Sequence, residues 1–436
     1  MQQSATIFAL SSGNPPSGVA VIRISGPLAK DTVRTLCGFV PPDRTLKLAD
    51  IKDADGAVLD RGLVCAFTAP ASFTGEDCAE LHVHGGRASV GAILRVLGSM
   101  DGLRQAEAGE FTRRAFVNGK MDLTGAEGLS DLISAETEMQ RRFALDNSNG
   151  RQRVLYEAWR ERLLHARAMI EAELDFSDEG DVPGSVAGEV WADVARLIAE
   201  MDRHLEGART GEILREGFRV VILGAPNAGK SSLLNRLADR DVAIVTDEPG
   251  TTRDLVEVVL DLDGLRTIVT DTAGLREQPG KVEAIGIGKA LKRAEEADLV
   301  ILLEAPGDGE VPIQSKEVPI LRVASKSDLG AVSEGFDLAV SSVTGDGIGE
   351  LVARMREAAL ALVGGWSTSA IPFRSRHVEL VRAARAHLVD VLDEAADLEL
   401  RAEALRLAGD ELGQITGAIG TEEVLGAIFS RFCIGK

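Results

Sequence analysis

The sequence predicts a chain of α/β and all-α parts: a mixed α/β domain first, then a helical domain interrupted by a second α/β module. Three observations predict this. Strand-like segments with helices between them fill residues 1–120. From 121 the apolar residues recur at helical steps of three or four. At 218 the pattern changes to short apolar strands alternating with helices, and after 365 it returns to an Ala- and Leu-rich helical pattern. The expected parts are therefore 1–120, 121–217, 218–365 and 366–436. The two helical stretches bracket a module of about 150 residues, and insertion into one helical domain is the economical arrangement because domain termini lie close together.

Within the first part, Val19–Ile24 and Gly62–Phe67 read as strands. Ala79–His84 alternates apolar and polar with period 2, as on a half-buried strand, and Gly85-Gly86 ends it before a helix over Ala88–Leu97. Leu155, Trp159, Leu163, Ala166, Ile170 and Leu174 then line one helix face. A break at Ser177–Gly188 precedes a helix carrying Val190, Val194, Ile198, Met201 and Leu205. In the inserted module, strands are expected at Phe218–Leu223, Leu255–Leu262, Leu265–Thr270, Asp298–Leu303, Pro319–Ala324 and Asp337–Ser341. Their alternation with helices signals a mostly parallel sheet covered on both faces. Val378–Leu412 reads as a charged helical stretch.

Composition narrows the function. The chain has 436 residues, with 48 Lys plus Arg against 68 Asp plus Glu, a formal net charge of −20. That disfavours bulk affinity for nucleic acid or anionic membranes while leaving room for a local basic cleft. Only 4% of residues are aromatic, few for reading single strands by stacking. Four widely spaced cysteines form no Cys-x-x-Cys pair, so a zinc ribbon or thioredoxin-like site is not expected. No leader-like amino terminus and no membrane-spanning apolar run is visible, and a cytoplasmic protein is expected.

Gly224-Ala225-Pro226-Asn227-Ala228-Gly229-Lys230-Ser231 matches G-x-x-x-x-G-K-S, after a strand and before a helix. This is the context in which backbone amides close around phosphates, Lys230 neutralises the outer phosphates and Ser231 ligates Mg²⁺. Ser232 opens the helical pattern that follows and is expected among the nucleotide-binding residues. Asp271-Thr272-Ala273-Gly274 ends a strand, which sets a carboxylate beside the metal and a glycine amide at the terminal phosphate. Thr252, in Gly250-Thr251-Thr252-Arg253-Asp254, is the expected second hydroxyl ligand of Mg²⁺. The base-reading element is Ser325-Lys326-Ser327-Asp328. Asp328 can accept from guanine and Lys326 can cover the base. Ser325 stands where Asn is usual, loses that amide, and predicts weakened nucleotide affinity. Ser341–Gly345 lies where a loop can support the base. These elements together predict a GTPase. Leu275 replaces the glutamine that orients the attacking water in Ras-like enzymes. Glu283 reads either as a solvated surface carboxylate or as the group that takes over that task.

The order of parts resembles the tRNA uridine-modifying GTPases of the MnmE family, also called TrmE, over essentially the full length. The residues that carry the resemblance are Gly18–Gly26, Phe73-Thr74-Gly75-Glu76-Asp77 with Glu80–Gly86, Gly109–Phe116, the inserted GTPase motifs, and the terminal Cys433-Ile434-Gly435-Lys436. The resemblance implies an amino-terminal domain that binds 5-formyl-tetrahydrofolate and dimerises, with Arg23, Glu80, Lys120 and Lys436 at the folate. It implies a Ras-like P-loop GTPase module that uses K⁺, held by Asn227, Thr246, Glu248 and Thr251, and that is activated by dimerisation. It implies that Glu283 positions water and that Cys433 takes part in tRNA modification as a reactive or substrate-proximal thiol, a reading it favours over a buried structural thiol. It also implies an FAD-containing partner, MnmG (GidA), and a carboxymethylaminomethyl group placed on carbon 5 of the wobble uridine of certain tRNAs. A regulatory or ribosome-assembly GTPase is the alternative; it explains 218–365 but gives the amino-terminal domain and Cys433 no role. His82 and His84 share a strand face, without a third nearby ligand to suggest a metal.

Overall fold

The computed structural model describes residues 5–175, 187–240, 242–244, 257–271, 293–306, 318–330, 334–364, 370–393, 396–419, 426, 428–430, 432 and 434–435. It forms two compact units. One comprises 1–130, 148–158 and 412–436; the other comprises 131–147 and 159–411.

The first unit is built on a six-stranded sheet. Its strands are β1 (Thr6–Leu10), β2 (Ser17–Ser25), β3 (Lys47–Lys52), β4 (Val58–Phe67), β5 (Cys78–Gly85) and β6 (Leu103–Gln105), in the order β3-β4-β5-β2-β1-β6. All neighbours are antiparallel except β1 and β6. Alternation decides the faces. Ile22, Ile24, Val64, Leu81 and Val83 point to a core closed by α1 (Ala29–Cys37) and α2 (Arg87–Gly98) through Val33, Leu36, Ile93 and Leu97. The intervening residues, Val21, Arg23, Cys65, Glu80 and His82, fall on the opposite face. There Ile7, Ala9 and Ala106 pack on Phe111 of α3 (Glu110–Val117) and on Phe73.

The carboxyl-terminal residues belong to this unit. Phe429 and Phe432 pack with Ala126, and Phe429 lies 6.4 Å, ring to ring, from Phe116. Ile434 bridges Ala108 in an antiparallel pair, and Ser11 Oγ donates to the Gly435 carbonyl at 2.7 Å. Gly109 has φ +67°, and a Cβ there would sit 2.4 Å from the Phe429 carbonyl oxygen, so only glycine lets the tail lie this close.

Helices α4 (Leu123–Ser134), α5 (Glu138–Ser148), α6 (Arg151–Asp175), α7 (Ala187–Glu206) and α8 (Ala208–Glu216) follow. The second unit's sheet comprises β7 (Phe218–Leu223), β8 (Glu257–Leu262), β9 (Leu265–Asp271), β10 (Leu299–Glu304), β11 (Ile320–Ala324) and β12 (Leu338–Ala339). Its order is β12-β11-β10-β7-β9-β8, parallel throughout except for the β8–β9 hairpin. One face packs on α9 (Lys230–Ala238) and α10 (Ile348–Val363); the other packs Val221, Leu223, Val300 and Leu302 on Ala294 and Ala297. Both faces are covered, which is why β10 is apolar at five consecutive positions.

Three expectations need correction. The helical stretch 378–412 is divided between two helices, α11 (Ser375–Val391) and α12 (Leu398–Thr416). The expected strand Asp337–Ser341 is only Leu338–Ala339. In α7 the buried stripe uses Leu197 and His204 beside Val194 and Met201, where Ile198 and Leu205 were expected; those two are half-buried. His204 is tolerated inside because its Nδ1 meets the Ala370 carbonyl at 3.0 Å and its ring stands edge-on to Trp159.

Candidate functional site

The nucleotide site is built where β7 ends. A Cβ on Gly224 would lie 2.2 Å from the Leu303 carbonyl oxygen, so the loop leaves the sheet hard against β10. Asn227 (φ +65°) and Gly229 (φ +97°) then take left-handed conformations and turn the chain into α9. No side chain caps α9, so its first amides remain available to an anion, as the dipole favours. Lys230 is 7% exposed, and its Nζ donates to the Gly224 and Ala225 carbonyls at 2.9 and 2.8 Å, which folds the ammonium back inside the loop. Ala228 is buried, Asn227 and Ser232 are exposed.

Ser231 Oγ donates to Asp271 Oδ2 at 2.6 Å. A hydroxyl and a carboxylate 40 residues apart thus meet at the head of α9, and Asp271 is 1% exposed. Two hard oxygen donors beside a phosphate loop suit Mg²⁺, which takes few protein ligands and keeps several waters.

The base-reading loop is joined to this one through Ser325. Its Oγ lies 2.7 Å from the Ala228 carbonyl and 3.2 Å from the Glu304 carbonyl, and its amide donates to Glu304 at 2.7 Å. A hydroxyl has one proton, so the shorter contact to Ala228 takes it. Although it lacks the amide of the usual Asn, the shorter Ser325 side chain reaches the phosphate loop directly. Lys326 adopts φ +54°. Asp328 accepts from the buried Ser341 hydroxyl at 2.6 Å, and that same hydroxyl oxygen accepts from the amides of Val343 and Thr344. The loop Ser341–Gly345 thus fixes the Asp328 carboxylate through the Ser341 hydroxyl.

In the first unit, Arg23 and Glu80 face each other across the β2–β5 pair. Arg23 Nε and Nη2 reach Glu80 Oε1 at 3.1 and 3.0 Å. The guanidinium carbon lies 4.9 Å from the Phe73 ring centre and 5.8 Å from that of Phe111, within cation–π range of both. Sequence reasoning placed Arg23 and Glu80 here but missed both aromatic rings. It also missed what holds them. Arg114 donates to Glu76 Oε2 at 2.9 Å and to Glu110 Oε1 at 3.0 Å, tying the loop that carries Phe73 to the helix that carries Phe111. Ser25 Oγ donates to Glu76 Oε2 at 2.8 Å. Burial raises the Glu110 carboxyl, but hydrogen bonds from Arg104, the Glu107 amide and Arg114 outweigh it and bring the group down to about 2. Lys120 is exposed, and its Nζ donates to the Pro70 carbonyl at 2.8 Å on that same loop.

Glu283, Leu275, Cys433, Thr246, Glu248, Thr251, Thr252, Thr272, Ala273, Gly274 and Lys436 lie outside the described residues. Ile434 and Gly435 lie against Ala108 and Ser11 of the amino-terminal part.

Two family models match this chain. One, described as the GTP-binding protein TrmE N-terminus, covers residues 6–120; the other, described as the MnmE helical domain, covers 123–433 and so spans more than half of the sequence. The chain belongs to the MnmE (TrmE) family. Curated relatives agree over nearly the full length. A protein of Mesorhizobium japonicum is 58% identical over 99% of each chain. One of Chelativorans sp. is 55% identical over 99% of this chain and 98% of its own, and one of Sinorhizobium medicae is 54% identical over 100% of both. Each of the three is named tRNA modification GTPase MnmE. The amino-terminal MnmE-family unit, the helical elements and the inserted P-loop sheet are the fold that the sequence predicts. Among the described residues no helix is long and apolar enough to cross a membrane.

Proposed function

We propose that this chain is a GTP hydrolase of the cytoplasm that takes part in modifying tRNA, organised as the four parts read from the sequence. The observation that carries the reading is the meeting of Ser231 and Asp271 beside a left-handed, uncapped phosphate loop. Asn227, Ala228, Gly229, Lys230, Ser231 and Ser232 would surround the phosphates, with Thr246, Thr251, Thr252, Thr272, Ala273 and Gly274 completing the shell. Ser325, Lys326 and Asp328 would hold guanine. Ser231 and Thr252 would hold Mg²⁺, and Asn227, Thr246, Glu248 and Thr251 would hold K⁺. Both ions stabilise negative charge on the phosphates. Lys230 would exchange the loop carbonyls for phosphate oxygens, and Glu283 would orient water.

The second half of the reading concerns folate. The half-buried Phe73 ring beside Arg23 offers a flat face to a pterin while the buried Phe111 ring backs the arginine, Glu80 offers acceptors to its donor edge, and Lys120 with Lys436 offers cations to the folate's carboxylates. With Cys433 and an FAD-containing MnmG partner, a homodimer of this chain would place the carboxymethylaminomethyl group on wobble uridine. Competition of GTP and ATP for the site, and turnover in K⁺ against Na⁺, test the proposal. GTP selectivity and K⁺ dependence are expected; equal competition, or a rate indifferent to the ion, overturns the corresponding part. The regulatory-GTPase alternative leaves the Arg23–Glu80 arrangement without a role.

A further inference from the structure

The folate reading names Arg23 and Glu80, but Glu80 has a second partner on the sheet. His82 follows it by two residues along β5 and so shares its face. His82 Nε2 lies 3.3 Å from Glu80 Oε2. Both donors of Arg23 go to the other oxygen, Oε1. The carboxylate is therefore gripped from two sides, one oxygen by a guanidinium and one by an imidazole. An ionised carboxylate only accepts, so His82 Nε2–H is the donor in this contact.

From this geometry we infer that His82 is a positioning residue of the pterin site. It sets the direction of the Glu80 Oε2 lone pairs, the ones Arg23 does not use. The ground beneath is neutral. Cys65 stands directly opposite Glu80 on β4 and is buried, and burial first, then the Glu80 charge, push its thiol pKa up. It contributes no competing anion. On the next cross-strand rung, Leu63 pairs with His82 on one side and Val21 on the other, so the imidazole is flanked by aliphatic side chains that supply it no other hydrogen bond.

This inference rests on the folate reading, and the test separates the two. Binding of 5-formyl-tetrahydrofolate is measured on the full chain by calorimetry, for the parent and for His82→Ala, His82→Gln, Glu80→Ala and the double variant Glu80→Ala/His82→Ala, each with its melting temperature. A lost charge-assisted hydrogen bond that orients the Glu80 acceptor predicts about tenfold weaker binding for His82→Ala. His82→Gln, whose amide nitrogen sits near the place of Nε2, recovers most of it. Because His82 acts through Glu80, His82→Ala changes nothing further once Glu80 is alanine. Unchanged affinity in His82→Ala, or an equal loss in the Glu80→Ala background, overturns the positioning role. A parent chain that does not bind the folate at all overturns the underlying reading, and this inference with it.

Discussion

Ser325 offers the sharpest perturbation. Replacing it by Ala removes the hydroxyl that donates to the Ala228 carbonyl at 2.7 Å and leaves that oxygen without this donor at a position 0% exposed. A lost neutral hydrogen bond costs about 0.5–1.5 kcal/mol, and a buried acceptor left unpaired about 1–3 kcal/mol. The Ser325 amide bond to Glu304 survives the substitution, so the strand end stays in place and the damage falls on the phosphate loop. We expect a cost of about 1–2 kcal/mol in nucleotide binding, or roughly 5–30-fold in Kd. Fluorescent-GDP titration of the parent and of Ser325→Ala measures it, with melting curves as the control for folding. Affinity within twofold of the parent would refute the claim that this hydroxyl joins the base-reading and phosphate loops.

Other expectations follow from the same geometry. Lys230→Ala should abolish measurable GTP binding, whereas Ser231→Ala should retain binding without Mg²⁺ but lose its Mg²⁺ enhancement, both read by titration with and without the metal. Glu283→Ala should bind GTP normally and hydrolyse it at least a hundredfold more slowly in a single-turnover assay. Glu110→Gln should lower stability by about 3 kcal/mol, because it strips the partner from Arg104 and Arg114; urea midpoints check this. His204 is held near neutrality by burial, its pKa lowered from 6.5 to about 4. An unfolded His204 takes up a proton below about 6.5 and the folded one only near 4, so this contribution to stability is complete above about 6.5 and is lost as pH falls through that window. The loss is on the order of 3 kcal/mol. His204→Leu should flatten the urea midpoint between pH 6.5 and 4.

The nucleotide loop was legible because phosphate binding uses contiguous residues: the glycines, Lys230 and Ser231 follow one another, and Asp271 ends a strand of recognisable pattern. What joins the pieces was less legible. Ser325 is bonded to a backbone carbonyl, which no residue type advertises, and the loss of Asn drew attention to what was missing. Period 2 in Ala79–His84 placed Glu80 and His82 on one face, but only strand register sets Arg23 opposite Glu80. Phe73 and Phe111 stood inside quoted motifs, yet their meeting around Arg23 depends on Arg114 pairing with Glu76 38 residues away. The α7 stripe was misread because a histidine with a carbonyl partner can replace an aliphatic side chain in a core, and hydrophobicity does not see that partner. Strands β1, β3 and β6 were missed; β3 is exposed at alternate charged positions and β6 has only three residues.

The most direct test of the central claim is mass spectrometry of tRNA nucleosides from cells lacking this gene, complemented with the parent chain or with Lys230→Ala. The account predicts that wobble uridine loses its carboxymethylaminomethyl group in the deletion, regains it with the parent and stays unmodified with the variant. Wobble uridines unchanged by the deletion would contradict it.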